Sequence, residues 1–171
     1  MKIRQAEISD LNAMLSIYDG AKKYMAATGN PTQWAHNEMI TEEYLVPDIE
    51  NKLYFLVTDD EDKEILASFK FITTPDPTYT RIDFGQWLND EPYGTIHSLA
   101  SSGKGQGIAF FIFDWALEQC PNLRGDTHSD NSIMQAISEN YGFKQCGIIY
   151  CHNGDPRIAY HVTKDMVNKT K

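Results

Sequence analysis

A strand-like apolar run, Tyr93 to Ser101 (YGTIHSLAS), enters a glycine-rich turn, Lys104-Gly105-Gln106-Gly107-Ile108-Ala109. The turn opens directly into the apolar run IAFFIFDWALE. No other stretch constrains the chain as strongly. Glycine lets backbone amides approach a ligand with no Cβ in the way. The first amides of a helix have no intrahelical partner, and the positive end of the helix dipole lies behind them. Such a junction suits phosphate or pyrophosphate, although glycine also serves ordinary tight turns. Two other phosphate loops are excluded. The P-loop string G-x-x-x-x-G-K-[ST] is absent. A dinucleotide turn needs G-x-G-x-x-G/A near the start of a βαβ unit. Here Gly105-Gln106-Gly107 is followed by Ile108, Ala109 and Phe110, late in the chain.

The rest of the chain reads as alternating short elements. Lys2 to Ala6 is a first strand, and Ser9 or Asp10 can cap the helix after it. Leu11, Met14, Leu15, Tyr18, Ala21 and Met25 repeat with a helical period until Gly29-Asn30-Pro31. A second helix is expected from Trp34 to Leu45, ending near Pro47. Leu53 to Thr58 and Ile65 to Thr73 form a hairpin across Asp59-Asp60-Glu61-Asp62, a solvated turn rather than a metal site. Thr74 to Pro92 is a long loop with aromatic residues and prolines. The strand Tyr93 to Ser101 and the helix Ile108 to Gln119 follow. Leu123 to His128 reads as a strand, Asp130 to Asn140 as a helix, and Phe143 to Cys151 and Arg157 to Thr163 as strands. The order β-α-α-β-β-β-α-β-α-β-β predicts an α/β chain with a mixed central sheet and helices on both faces, in one domain over residues 1–171.

A second motif follows the glycine turn. Asp126-Thr127-His128-Ser129-Asp130-Asn131 leads into SIMQAISENY and then Gly142-Phe143. The chain resembles the GNAT superfamily of N-acetyltransferases in both motifs and their order. That family's pyrophosphate loop reads R/Q-x-x-G-x-G/A, and its next motif is a helix-opening asparagine closed about a dozen residues later by Gly-Phe. The resemblance implies an acyl-CoA held where two strands splay apart, its pantetheine arm pairing with the earlier strand as an added strand would. It assigns the oxyanion and pantetheine contacts to the backbone of Ser98, Leu99 and Ala100. Pyrophosphate falls to the amides of Gly105, Gln106, Gly107, Ile108 and Ala109, with Lys104 as a point charge. Lysine there lacks the bidentate fork of arginine. Asn131 is either a helix N-cap, or the asparagine that reaches the CoA arm, or both.

The resemblance implies transfer of the acetyl group of acetyl-CoA to a primary amine of a small molecule, by direct attack in a ternary complex and without a metal. One position departs from the family pattern. Many members carry a tyrosine acid four residues before the Gly of Gly-Phe, and Ser138 stands there. Either water protonates the leaving thiolate or another residue does, Tyr141 being one turn further on. Histidine titrates in the right range for a general base, which makes His97 and His128 candidates. Simple alternation puts His97 on the face opposite Ile96 and Ser98. His36 falls in the variable substrate-side region, and His152 and His161 read as surface positions. Tyr79, Phe84 and Trp87, with Asp76, Asp83, Asp90 and Glu91 nearby, are the acceptor-side candidates, unless the aromatics only fasten the loop. A non-catalytic acyl-CoA-binding module and an enzyme using a longer acyl-CoA are the alternatives.

Composition narrows the partners. A chain of 171 residues is long enough to bury a core. No run approaches the ~18 apolar residues of a membrane span. The net charge of -9 argues against nucleic acid and anionic membrane and favours a cationic amine. Cys120, Cys146 and Cys151 form no paired framework, and with an N-terminus lacking a signal-peptide pattern they point to a reduced, cytoplasmic protein. A homodimer is left open.

Overall fold

A computed structural model of the chain describes residues 1–31, 33, 34 and 40–168. Its strands are β1 (Lys2–Gln5), β2 (Tyr54–Thr58), β3 (Ile65–Ile72), β4 (Gly94–Ser101), β5 (Asn122–Thr127), β6 (Lys144–Tyr150) and β7 (Pro156–Thr163). Its helices are α1 (Leu11–Ala27), α2 (Glu42–Glu50), α3 (Ile108–Gln119), α4 (Ser132–Tyr141) and α5 (Lys164–Asn168). The strands form a seven-stranded sheet in the order β1-β2-β3-β4-β5-β7-β6. The mixed α/β class and the element order match the sequence reading. The five residues of α5 are too few for a periodicity to reveal.

The chain divides into two compact units. The first comprises Met1–Phe71 and His97–Ile112, and the second Ile72–Ile96 and Phe113 onward, so β4 and α3 each contribute to both. In the first unit β1, β2 and β3 pair antiparallel. The acidic turn is closed by Asp59, whose Oδ1 accepts from the amides of Glu61 at 3.2 Å and Lys63 at 2.8 Å. Asp60, Glu61 and Asp62 are exposed, and their carboxylates pair with the Met1 amino group, Lys63 and Arg4. Helix α1 buries Leu11, Met14, Ile17 and Tyr18. It packs in a core with Leu45, Ile49, Tyr54, Leu56 and Ala100.

Helix α2 corrects the end expected near Pro47 and leaves Trp34, Ile40 and Thr41 outside it; residues 35–39 of the expected span lie outside the described residues. It begins at Glu42 and continues through Pro47. Proline removes one intrahelical bond, but Pro47 lies on the exposed side while Leu45 and Ile49 are buried on either side of it. Burial of those two side chains holds both halves of the helix. His36 lies outside the described residues.

In the second unit β4 runs parallel to β5 only at Gly94↔Leu123 and Thr95↔Arg124. Strand β5 then pairs antiparallel with β7 over six positions, and β7 pairs with β6. With a strand on each side, β7 is interior. His161 is therefore fully buried, not at the surface as its polarity suggested. Residues 82–85 lie along β6. Asp83 exchanges both backbone bonds with Ile148 at 2.9 Å, and Gly85 allows the approach, since a Cβ there would meet the Cys146 carbonyl oxygen at 1.9 Å.

Candidate active site

In the first unit the site is built on the end of β4, the glycine turn and the start of α3. Strand β4 is not regular. Ser98 adopts φ 51°, in the left-handed region, so the alternation assumed for Ile96, His97 and Ser98 breaks at this residue. Residues 96–99 are all half-buried rather than alternately in and out. The Ser98 carbonyl accepts from the Tyr18 hydroxyl at 2.7 Å. That hydroxyl also lies 3.2 Å from Ser68 Oγ. Burial pushes the Tyr18 phenol well above its ordinary range, so it remains a donor.

The turn is tied down from its first residues. The Ser102 amide donates to the Leu66 carbonyl at 2.9 Å, and the Gly103 amide to Ser101 Oγ at 3.1 Å. Gly105 and Gly107 have φ 84° and 69°, conformations that side-chain-bearing residues rarely adopt. A Cβ on Gly107 would meet nothing within 4 Å. The space over this residue is therefore open, and the constraint on it is conformational. Among the described residues the amides of Gly105, Gln106 and Gly107 donate to no protein acceptor. The first intrahelical bond of α3 runs from Phe111 N to Gly107 O at 3.0 Å. A row of unpaired amides at a helix start, with space above it, fits a pyrophosphate. Lys104 is less available than expected, because its ammonium pairs with Glu64. That pair is exposed, and such pairs are weak enough to exchange for a phosphate.

In the second unit Asn131 caps α4, its Oδ1 accepting from the Met134 amide at 3.1 Å. Its capping role is thus occupied by structure. His128 accepts at Nδ1 from the Asp130 amide at 3.1 Å, which leaves Nε2 as the nitrogen carrying hydrogen in the neutral ring. Gln135 Nε2 donates to the carbonyls of His128 and Ser129 at 3.3 and 2.8 Å. These bonds brace residues 128–131 as one cap.

Both hydroxyl candidates for the acid are buried. Ser138 is buried in α4, and its carbonyl accepts from the amides of Gly142 and Phe143, which end the helix at a left-handed Gly142. Tyr141 is buried too. Its hydroxyl donates to Asp114 at 2.8 Å, and its ring packs against Phe113 and Phe143, each centroid within 5.9 Å. Burial and then the Asp114 carboxylate push the Tyr141 phenol well up. If thiolate protonation needs neither, Ser138→Ala should retain turnover within about threefold. A loss of about 10²-fold, the scale for removing a true acid, with acetyl-CoA affinity unchanged would reverse this assignment.

The acceptor-side aromatics separate into two kinds. Tyr79 is 2% exposed and donates to Asp126 Oδ1 at 2.7 Å. Trp87 Nε1 donates to the Tyr79 carbonyl at 3.1 Å. The Arg124 guanidinium lies between Trp87 and Tyr93, at 4.5 and 4.1 Å from their ring centroids, and donates to the Asn89 carbonyl at 2.6 Å. These contacts of Tyr79 and Trp87 fasten the loop. Phe84 differs: it is 91% exposed with φ 61°.

Sequence reading missed Arg124 and His161, which anchor the same loop. His161 Nδ1 accepts from the Leu88 amide at 3.2 Å, and Nε2 lies 3.4 Å from Asn122 Oδ1. Burial, then the charge of Arg124, lowers the His161 pKa to about 4. The unfolded chain takes up this proton near pH 6.5. The neutral ring's contribution is therefore complete above about pH 6.5 and is lost as pH falls toward 4. Between about pH 7.5 and about pH 5 this amounts to roughly 2 kcal/mol. Urea unfolding of the wild type and His161→Gln at both pH values checks it: the variant should lose that part of the slope, and equal slopes would exclude His161 as the cause.

No family model and no curated protein matches the sequence. Solved structures do. An acetyltransferase of the GNAT family from Streptococcus agalactiae superposes with a TM-score of 0.84 at 28% identity, over 95% of this chain and 95% of that one. A GNAT-family acetyltransferase from Listeria monocytogenes gives 0.69 at 17% identity, over 95% and 94%. A ribosomal-protein-alanine N-acetyltransferase from Brucella melitensis gives 0.60 at 16%, over 95% and 99%. The last two likenesses concern the fold. No helix among the described residues is long and apolar enough to cross a membrane, and no described group of His, Cys, Asp or Glu could hold a metal ion.

Proposed function

We propose that the chain is a GNAT-superfamily acetyltransferase that moves the acetyl group of acetyl-CoA onto a primary amine of a small molecule, in one ternary complex. The observation that carries the cofactor assignment is the glycine turn. Among the described residues the amides of Gly105, Gln106 and Gly107 donate to no protein acceptor, Gly105 and Gly107 hold positive φ values that favour glycine, and open space lies above Gly107. In this reading the amides of Gly105 to Ala109 hold the pyrophosphate, and Lys104 exchanges Glu64 for a phosphate oxygen. The backbone of Ser98 to Ala100 meets the pantetheine and acyl group. Asn131 keeps its capping role and adds a contact to the CoA arm.

Acyl transfer asks three things of the chain: a neutral amine in line with the carbonyl, donors for the developing oxyanion, and a proton for the departing sulfur. The amine nitrogen bonds to the acyl carbon and the C–S bond breaks. The proton released by nitrogen leaves through His97, His128 or water, and solvent protonates the thiolate, since Ser138 and Tyr141 are both buried. On the acceptor side Phe84 offers the one exposed aromatic face of the three candidates, with the Asp83 carboxylate beside it. Arg81 and Tyr150 already engage that carboxylate at 2.6 and 3.0 Å.

The choice of a small-molecule acceptor rests on the acidic net charge of -9, which favours a cationic amine. The Brucella melitensis protein named above acts on a protein alanine, so the test includes both classes. Purified protein is mixed with acetyl-CoA and either a panel of small amines or peptides with free N-termini, and thiol release is followed. Release with small amines supports the reading. Release with peptides alone replaces the acceptor class. Acetyl-CoA binding without release from any acceptor favours the non-catalytic module.

A further inference from the structure

The inference deepens the acetyl-transfer reading and rests on it. Ser98 holds a left-handed conformation within β4, which a residue bearing a side chain keeps only where its surroundings over-determine it. The group that meets its carbonyl is the Tyr18 hydroxyl, donating at 2.7 Å from α1, 80 residues earlier in the chain. Tyr18 is 1% exposed, and Ser68 and Tyr54, the other neighbours of that hydroxyl, are fully buried, so the hydroxyl is shielded from water. No peptide bond among the described residues is cis. In a planar trans peptide the C=O and the following N–H point in opposite directions. A Ser98 carbonyl turned onto Tyr18 therefore turns the Leu99 N–H away from Tyr18.

We propose that Tyr18 is a positioning residue for acyl transfer: its hydroxyl fixes the Ser98–Leu99 peptide plane so that the Leu99 N–H is presented to the acyl oxygen. Tyr18 itself touches no substrate. As the amine nitrogen bonds to the acyl carbon, negative charge gathers on that oxygen, and a fixed donor stabilises it more than a mobile one does. The charge returns as the C–S bond breaks, and the thiolate takes its proton from solvent. Burial keeps the Tyr18 hydroxyl protonated, so the anchor persists over the working pH range.

Tyr18→Phe removes only the hydroxyl and keeps the ring with its edge contact to Trp34 at 5.9 Å. Ser68→Ala removes a different neighbour of that hydroxyl and keeps the Tyr18–Ser98 bond. Both delete a buried polar contact, so a purely structural role would make them alike. The probe is acetyl-CoA carrying carbon-13 at the thioester carbonyl, read by infrared difference spectroscopy in the bound state, with affinity by calorimetry. The wild type should shift the carbonyl band to lower frequency on binding. Tyr18→Phe should bind acetyl-CoA within about threefold, return the band toward its free position and lower kcat about 10–100-fold, the scale of a misplaced donor. Ser68→Ala should keep the wild-type band and kcat. An unshifted band in the wild type, a wild-type band in Tyr18→Phe, or equal losses in the two variants overturns the proposal while acetyl-CoA binding stands. Failure of the wild type to bind acetyl-CoA overturns both the proposal and the function it rests on.

Discussion

Gly107→Asp should abolish measurable acetyl-CoA binding, while Gly107→Asn retains part of it. Gly107 has φ 69°, and a Cβ there meets no atom within 4 Å. Neither variant is excluded by crowding, and Asn and Asp are the side chains that tolerate a left-handed backbone best. Both keep a folded turn and share its strain. They differ in charge alone. A carboxylate about 4 Å from one phosphate charge near a protein surface costs roughly 4 kcal/mol, which exceeds a 10²-fold change in Kd. The same carboxylate also faces the positive end of α3, which offsets some of that cost in the free protein but none of the repulsion. Calorimetric titration with acetyl-CoA at low and at high salt reads the result directly. The gap between the Asp and Asn variants should narrow as salt rises, because exposed charges are screened. An Asp variant that binds as tightly as the wild type would move the pyrophosphate elsewhere.

That turn was legible because everything that makes it is local. Three glycines at 103, 105 and 107, an apolar strand before and an apolar helix after form one continuous stretch, residues 93–119. The same holds for the acidic hairpin, the Asn131 cap and the Gly142 helix end, each specified by a residue type at a fixed offset. The Ser98 kink was not legible. No glycine or proline marks it, and its partner hydroxyl stands 80 residues away. Residues 96–99 therefore read as an ordinary alternating strand. Helix α2 shows the complementary error: a local signal, Pro47, was outweighed by the tertiary burial of Leu45 and Ile49. His161 and Arg124 fall between the two cases. A polar residue in a strand reads as exposed unless the strand is known to be interior. The interior place of β7 comes from the strand order β5-β7-β6, which crosses over relative to the chain. The two glycines Gly85 and Gly147 could have hinted that another segment lies close to β6, since a Cβ on either would strike backbone of the other segment.

Trp87→Ala should destabilise the fold by about 3 kcal/mol, at the lower end of the range for removing a buried indole, because Trp87 is only partly buried. The indole covers Arg124 at 4.5 Å, tilts against Tyr79 at 5.3 Å and meets His161 edge-on at 6.0 Å. Its Nε1 holds the Tyr79 carbonyl. Truncation removes all four contacts together and uncovers a guanidinium whose Nε has no hydrogen-bond partner among the described residues. Burial holds the Arg124 pKa below its ordinary value, and Tyr93, ahead of the Asp90 carboxylate, favours the charged form, so this cation depends on its aromatic neighbours. Arg124→Lys tests that dependence in the same series. A compact ammonium cannot lie flat between Trp87 and Tyr93 as a guanidinium does, and most of the loss should recur. Phe84→Ala is the control: a side chain 91% exposed should change stability by no more than about 0.5 kcal/mol. Denaturant midpoints order the variants. Acetyl-CoA affinity should stay at the wild-type level in all three, because none of these contacts involves the glycine turn. If Trp87→Ala instead keeps its stability and raises only the acceptor KM, the indole belongs to the acceptor site rather than to the packing of the loop.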